Sequence, residues 1–356
     1  MRRLLVSVAV MVFVSACASP AATGGTAAPP TAAPAASASA KPTPPGAPES
    51  TSLRIAHSGS DDFDSTNARY FINLLKAKGF TVDYQNLSTA DVALRTLVAG
   101  QADLYIGSLG TVARFTQAAG GGVKVIGNDI KATDYLLVSQ STIPNVAALA
   151  GKTVGINSPG DAGDTAARAC LQSANFDLTK ATFVQIGGTS ARVAALVAGK
   201  IDAAPAHTAE TLSALAKVST LKILVNCGEA IGPILEHGLT ASDGWLAKNP
   251  NAAQIAVDLW IDAARWAATN KAEFLALSKI VTPDLDDGIR GPTWDAFAKV
   301  GYYAKNGGMS DALLTGWDKL ALLTREITTG TVPDHKLWID QKYVNSYLAR
   351  FGTQPE

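Results

Sequence analysis

The heptapeptide Leu97-Val98-Ala99-Gly100-Gln101-Ala102-Asp103 returns as Leu196-Val197-Ala198-Gly199-Lys200-Ile201-Asp202, with five of seven positions identical. Each copy reads as a helix end, a glycine cap and an aspartate opening a short strand, so the chain is constrained to two lobes built on one plan. The strands that follow, Leu104 to Ile106 and Ala203 to Ala206, run to the carboxyl edge of a sheet. Open α/β folds bind ligands at that edge, and two such edges facing one another make a cleft. The flanks match as well. An extended run precedes each copy (Phe80 to Leu87, Ala181 to Ile186), and small polar residues start a helix (Ser88 to Asp91, Gly188 to Ser190). A helical stretch and a fourth strand follow (Val123 to Ile126, Leu221 to Val225). Strands alternating with helices of about ten residues predict an α/β class with parallel sheets and crossover helices.

The N-terminus places this unit outside the cytoplasm. Met1-Arg2-Arg3 is a positive start, and Leu4 to Val14 is an apolar run too short to span a bilayer, which fits a secretory signal. It ends in Val14-Ser15-Ala16-Cys17, which resembles the bacterial lipoprotein box. The resemblance implies a signal peptide over 1–16, a lipidated Cys17 and anchoring on the extracytoplasmic face of the cell membrane. Residues 17–50 form the expected tether: from Ala18 onward nearly all are Ala, Pro, Ser, Thr or Gly, and only Lys41 and Glu49 are charged. Such a segment buries too little apolar surface to fold, and its prolines keep it extended.

Two cysteines remain beyond Cys17. Cys170 falls on the helix after Ser158-Pro159-Gly160 and Cys227 at the end of the Leu221 to Asn226 strand, both in the second lobe. An exported chain permits a bridge between them; two buried thiols are the alternative. Lys and Arg total 30 against 30 Asp and Glu, so no basic field attracts nucleic acid.

The order of segments resembles the substrate-binding lipoproteins of ABC importers, in the nitrate, sulfonate, taurine and thiamine-pyrimidine-precursor branch. The resemblance is carried by Leu149-Ala-Gly-Lys-Thr-Val-Gly-Ile-Asn-Ser-Pro-Gly160, by Ile186-Gly-Gly-Thr-Ser-Ala-Arg192 leading into the second heptapeptide, and by Gly244-Trp-Leu-Ala-Lys-Asn-Pro250. The tail Gly330-Thr-Val-Pro333, Trp338-Ile-Asp340 and Tyr343-Val344 is similar too. The resemblance implies a two-lobed type II periplasmic-binding fold, each lobe a mainly parallel sheet flanked by helices, with the ligand cleft between. Lobe 1 would be 53–138 plus 237–350 and lobe 2 139–236, with hinge crossings near Asp134 to Gln140 and Pro233 to Ala241. It also implies a monomer with no cofactor, whose partners are a small-molecule ligand and the ABC permease and ATPase subunits; a membrane sensor is the alternative partner.

Strand ends then nominate the ligand-binding residues. In lobe 1 these are Ser58, Gly59, Ser60 and Asp61 after the first strand, and Gly107 and Ser108 after the third. In lobe 2 they are Ser158 and Gly160, the helix start Gly163, Asp164 and Thr165, the turn Gly188, Thr189 and Ser190, and His207. Asp134 reaches the cleft from the crossing. Glycines and hydroxyls before helices expose N–H groups at the positive end of a dipole, which suits an oxyanion, and Arg192 one helical step further could pair with it. The same hydroxyls also serve as plain helix caps, and His207 could equally be a structural donor.

No enzyme pattern stands out. His57, His207, His237 and His335 are scattered through the sequence, without a paired metal-ligand spacing. Gly107-Ser108-Leu109-Gly110 falls short of a nucleophile elbow, and no phosphate-binding glycine loop is present. The expected role is binding, with no chemistry and no metal.

Overall fold

The computed structural model describes residues 43–356 apart from 325, 326, 328 and 329. The signal segment 1–16, Cys17 and most of the expected tether lie outside the described residues. The described end of the tether is not free of the fold. The Glu49 carboxylate accepts hydrogen bonds from the backbone N–H groups of Asn251 and Ala252, and Gly46 N donates to Asn251 Oδ1. A carboxylate at a helix start satisfies orphan N–H groups and faces the positive end of the dipole, so the folded part begins before residue 50.

The first half alternates β1 (Ser52–Ser58), α1 (Thr66–Ala77), β2 (Thr81–Leu87), α2 (Ala90–Val98), β3 (Leu104–Ser108), α3 (Leu109–Ala119) and β4 (Val123–Ile130). Past a crossing at Lys131 to Asp134 come β5 (Tyr135–Gln140), β6 (Thr153–Ile156), α4 (Ala162–Ser173), β7 (Thr182–Gln185) and α5 (Thr189–Val197). This half closes with β8 (Ala203–His207), α6 (Thr208–Leu215), β9 (Leu221–Asn226) and α7 (Cys227–Ile231). The chain returns through Gly232 to Glu236 into β10 (His237–Ser242). It then adds α8 (Asp243–Lys248), α9 (Pro250–Thr269), α10 (Lys271–Val281), α11 (Asp287–Val300), α12 (Asp311–Leu323), α13 (His335–Trp338) and α14 (Lys342–Phe351).

Two five-stranded sheets result, ordered β2-β1-β3-β10-β4 and β7-β6-β8-β5-β9. Four strands of each run one way, as the α/β reading expects. The fifth is reversed: β10 lies antiparallel between β3 and β4, and β5 antiparallel between β8 and β9. In each sheet the reversed strand is the one that has just crossed from the other. The sheets are therefore mixed, and the crossings are shorter than the sequence suggested. Tyr135–Gln140 is laddered wholly into the second sheet and His237–Ser242 into the first, so the segments running between the sheets are Lys131 to Asp134 and Gly232 to Glu236, and residues 135–138 pair with the second sheet rather than the first. The two crossings are themselves paired, Ile234 N donating to Lys131 O at 2.7 Å.

The repeated heptapeptide does the same job twice. Gly100 and Gly199 take φ of +69° and +66°, the left-handed conformation that ends a helix and favours glycine. The aspartate that follows then clamps the strand beside it, β1 in one sheet and β6 in the other. Asp103 N donates to Arg54 O at 2.8 Å while its carboxylate accepts from Arg54 N at 2.8 Å; Asp202 N donates to Thr153 O and its carboxylate accepts from Thr153 N, both at 2.9 Å. Leu97 and Leu196 are buried beneath the two turns.

The larger core lies around the first sheet, where α9 packs on α1 and β4 and Trp260 meets Phe71 edge-on at 5.0 Å. The later helices also reach the other half, α11 touching α6 and α12 touching α4. In the second half Cys170 on α4 and Cys227 on α7 form a disulfide with a Cα–Cα distance of 5.0 Å. It closes a loop spanning 57 residues, for which chain entropy gives at most about 4 kcal/mol. Reductant, or the double change Cys170→Ser with Cys227→Ser, should lower the free energy of unfolding by about 2–4 kcal/mol in urea titration. An unchanged urea midpoint contradicts this.

Candidate functional site

The strands' carboxyl ends and both crossings meet at a cavity of about 160 Å³. The end of β1 brings His57 and Ser58, and the loop after it Ser60, Asp62 and Asp64. Ser108 closes β3, Asp134 and Tyr135 come from the first crossing and the start of β5, and His207 from the end of β8. Glu236 and His237 enter from the second crossing, with Tyr302 arriving from the turn after α11. Both halves and both crossings thus contribute to one wall.

Three histidines scattered in the sequence converge here. Each has one ring nitrogen committed: His207 Nδ1 lies 2.8 Å from Asp134, His237 Nδ1 3.0 Å from Asp129, and His57 Nδ1 3.1 Å from the Asn86 side-chain oxygen. Burial opposes charge on all three. For His207 the Asp134 carboxylate and the neighbouring Tyr135 outweigh burial and raise the pKa well above the usual value. Asp129 does the same, more modestly, for His237. His57 has only an amide partner, so burial and the charge of His237 push it down to about 4. Protonation is thus favoured at His207 and His237 and opposed at His57.

The remaining carboxyl groups lack a cation. Burial, then the charge of Asp62, pushes Asp64 up to about 7; burial, then Asp134, pushes Glu236 up to about 8. The Tyr302 hydroxyl donates to Asp64 at 3.0 Å, whereas Glu236 Oε2 is buried without a hydrogen-bond partner. Neither Lys nor Arg lines this cavity among the described residues. Nor do the described residues gather three or more His, Cys, Asp or Glu in a geometry able to hold a metal ion.

Of the residues nominated from sequence, Ser58, Ser60, Ser108, Asp134 and His207 line the cavity. Gly59 occupies the left-handed region at φ +87° and shapes the loop between them. Gly107 acts by being small, since a Cβ there would come within 2.4 Å of the Tyr105 hydroxyl and 2.7 Å of Ser58 Cβ. Asp61 is held by Arg69 and by the Tyr84 hydroxyl instead. In the second half, Ser158 and Asp164 bind within their own turn: Asp161 accepts from Ser158 N and from Asp164 N, and Asp164 accepts from Gly160 N and Arg168. Gly163 packs near Tyr135 and Arg192. Thr165 lines a smaller adjoining chamber.

The anion turn is not brought to the cavity. Arg192 is buried and its guanidinium is consumed by the carbonyls of Pro205 and Gly187 and by Thr189 Oγ1. It ties α5 to β8 and is not among the residues lining the cavity. Gly188 caps α5, Thr189 serves Arg192, and Ser190 points to solvent.

The acidic run Asp61, Asp62 and Asp64 is legible in sequence either as a partner for a cationic group or as a solvated helix cap; Asp62 and Asp64 line the cavity. Sequence reasoning missed Glu236, His237 and Tyr302. Glu236 and His237 precede or open a reversed strand, which meets the cavity with its beginning rather than its end. Tyr302 lies 238 residues from its partner Asp64 and carries no local signal.

His207 and His237 titrate above their unfolded values, as do Asp64 and Glu236, so each binds more protons folded than unfolded. For the histidines that stabilisation is complete below pH about 6.5 and is lost as pH rises through the folded pKa; Glu236 adds in the same direction up to about 8. His57 acts oppositely, but only as pH falls from about 6.5 toward 4. The urea midpoint should therefore fall between pH 6.5 and 9, and a flat or rising midpoint contradicts the assignment.

The comparisons bear on this arrangement. A ligand-binding component of an ABC-type import system from Staphylococcus aureus, solved with zinc, superposes with a TM-score of 0.67 at 10% identity over 83% of this chain and 98% of that one. The periplasmic aliphatic sulphonate-binding protein SsuA from Escherichia coli gives 0.63 at 18% identity over 82% and 92%. DszB, solved with biphenyl-2-sulfinic acid, gives 0.60 at 16% identity over 84% and 99%. At these identities the likeness establishes the fold: two mixed sheets flanked by helices, as in the periplasmic binding proteins. No curated protein matches the chain significantly. The model of the NMT1/THI5-like family matches residues 73–273, more than half of the sequence, and the chain belongs to that family.

Proposed function

We propose that this chain is an extracytoplasmic solute-binding lipoprotein, monomeric and without cofactor, that captures a small molecule and delivers it to an ABC-type permease. The observation that carries the reading is the polar cavity built from both sheets and flanked by both crossings. A solute held there touches both halves, so it binds a closed arrangement better than an open one and shifts the population toward it. The short paired crossings are the parts free to bend. The import-system and sulphonate-binding structural neighbours and the family membership support the same reading, and no helix among the described residues is long and apolar enough to cross a membrane. Anchoring would come from Cys17.

One contact already spans the halves: Arg114 on α3 donates to Gly160 O, in the turn before α4, at 2.9 Å. Arg114 does not line the cavity, so the change Arg114→Ala tests closure apart from direct contact. It should weaken solute binding about tenfold while leaving the cavity residues in place; unchanged affinity contradicts the closure model. The function itself is tested by reconstituting the permease in vesicles. Solute-loaded chain should stimulate ATP hydrolysis and uptake, whereas consumption of the solute by the chain alone contradicts a pure binding role.

A further inference from the structure

The cavity continues into a second chamber of about 30 Å³ behind it. The two share Ser108, Ala162 and Glu236, which form the neck. The chamber wall is apolar: Ile231, Ile234 and Leu235 from α7 and the second crossing, and Trp317 and Leu320 from α12. Ser108, Thr133, Thr165 and Glu236 interrupt it, and two of their polar atoms are unmatched. Thr165 Oγ1, on a residue only 8% exposed, and Glu236 Oε2 are both buried and make no hydrogen bond. A buried oxygen left unmatched costs about 1–3 kcal/mol and more when charged, so both are poised for a partner that arrives from outside the chain.

Charge decides what that partner is. His207 and His237 are each matched by a carboxylate, and Asp61 by Arg69. What is left over around the neck and cavity is acidic: Asp62, Asp64 and Glu236, facing a neutral His57 and no lysine or arginine among the described lining residues. An oxyanion there would meet three carboxyl groups without an ion-pair partner of their own, beside the hydroxyls of Ser58, Ser60, Ser108 and Tyr302 and imidazoles already matched by carboxylates. Resting on the solute-binding reading, we infer that the solute is an organic cation, a protonated amine or amidine that donates to Glu236 at the neck and extends a short apolar arm into the chamber beside Thr165. The chamber has room for about two water-sized groups, which limits the arm to a few carbons.

Binding such a cation ionises Glu236 and releases its proton, so affinity depends on pH. The groups facing Glu236 are Asp64 on the loop after β1, Asp134 on the first crossing, His207 at the end of β8 and His237 on β10. Below the Glu236 pKa of about 8 the dissociation constant should fall with rising pH, approaching tenfold per unit.

The test is calorimetry on the whole chain with methyl-, propyl- and butylammonium against propanesulfonate and butyrate, at pH 6.5 and 8.5. The expected result is amine binding that tightens at the higher pH and gains about fourfold per methylene for the first methylenes. Ala166→Leu, which fills the chamber wall, should remove that gain while methylammonium still binds. Glu236→Gln should reduce the pH dependence, leaving only the part set by Asp64 and the histidines, with the far-ultraviolet spectrum unchanged; should that variant fail to fold, the Ala166→Leu series still decides. Binding of the sulfonate or carboxylate in preference to the amines overturns the inference and leaves the solute-binding reading intact. Amine affinity indifferent to pH and to Glu236 overturns it too, as does failure of every amine to bind. The permease reconstitution judges the solute-binding reading separately.

Discussion

Two buried carboxylate–imidazole pairs, Asp134 with His207 and Asp129 with His237, hold the cleft edge of this protein together. Each joins strands of one sheet at the point where the chain enters or leaves it. Asp134 also accepts from Thr208 N through its carboxylate and from Thr208 Oγ1 through its carbonyl, which fixes the start of α6. Asp129, fully buried, takes a second hydrogen bond from the Asn67 amide and so fixes α1. Removing either partner would leave an uncompensated buried charge, far costlier than the net worth of the pair. The crossings can therefore bend only between two firmly tied strand ends.

This arrangement explains how a reversed strand serves a binding fold. A strand that arrives from the other half must run against its neighbours to re-enter the sheet at the cleft edge, so its first residues land in the cavity. Tyr135 and His237 both occupy such positions, each preceded by an acidic residue, Asp134 or Glu236. One acid is matched by a histidine and the other is not. The asymmetry gives the cavity its excess of carboxyl groups and places the unmatched one at the neck of the apolar chamber.

Much of the architecture was legible in the sequence because it rests on local rules. The heptapeptide announces itself through a glycine that must take positive φ and an aspartate positioned to clamp a neighbouring strand, and those needs recur wherever the motif does. The alternation of strands and helices follows from the same periodicity, which also put Cys170 and Cys227 in one half while leaving open whether they pair. Charge matching was not legible. For Arg192 the sequence offered an anion or a surface salt bridge; its acceptors are instead carbonyl oxygens, which every residue owns and no composition reveals, and Thr189 Oγ1. The convergence of His57, His207 and His237 depends on which strands are neighbours and in which direction they run. Sequence spacing made them scattered; the reversed strand β10 places His237 within 6.2 Å of His57. The docking of Glu49 on α9 was equally hidden, since a tether-like composition extends right up to it.

The account stands or falls on the charge states of the cavity, and nuclear magnetic resonance titration of the imidazole nitrogens reads them directly. With Asn substitutions for assignment, His207 and His237 should remain protonated above pH 6.5 and His57 should stay neutral down to about pH 4. Three imidazoles titrating together near the ordinary value of about 6.5 would show that the carboxylate pairs do not form, and would contradict both the tied strand ends and the acidic balance of the cleft.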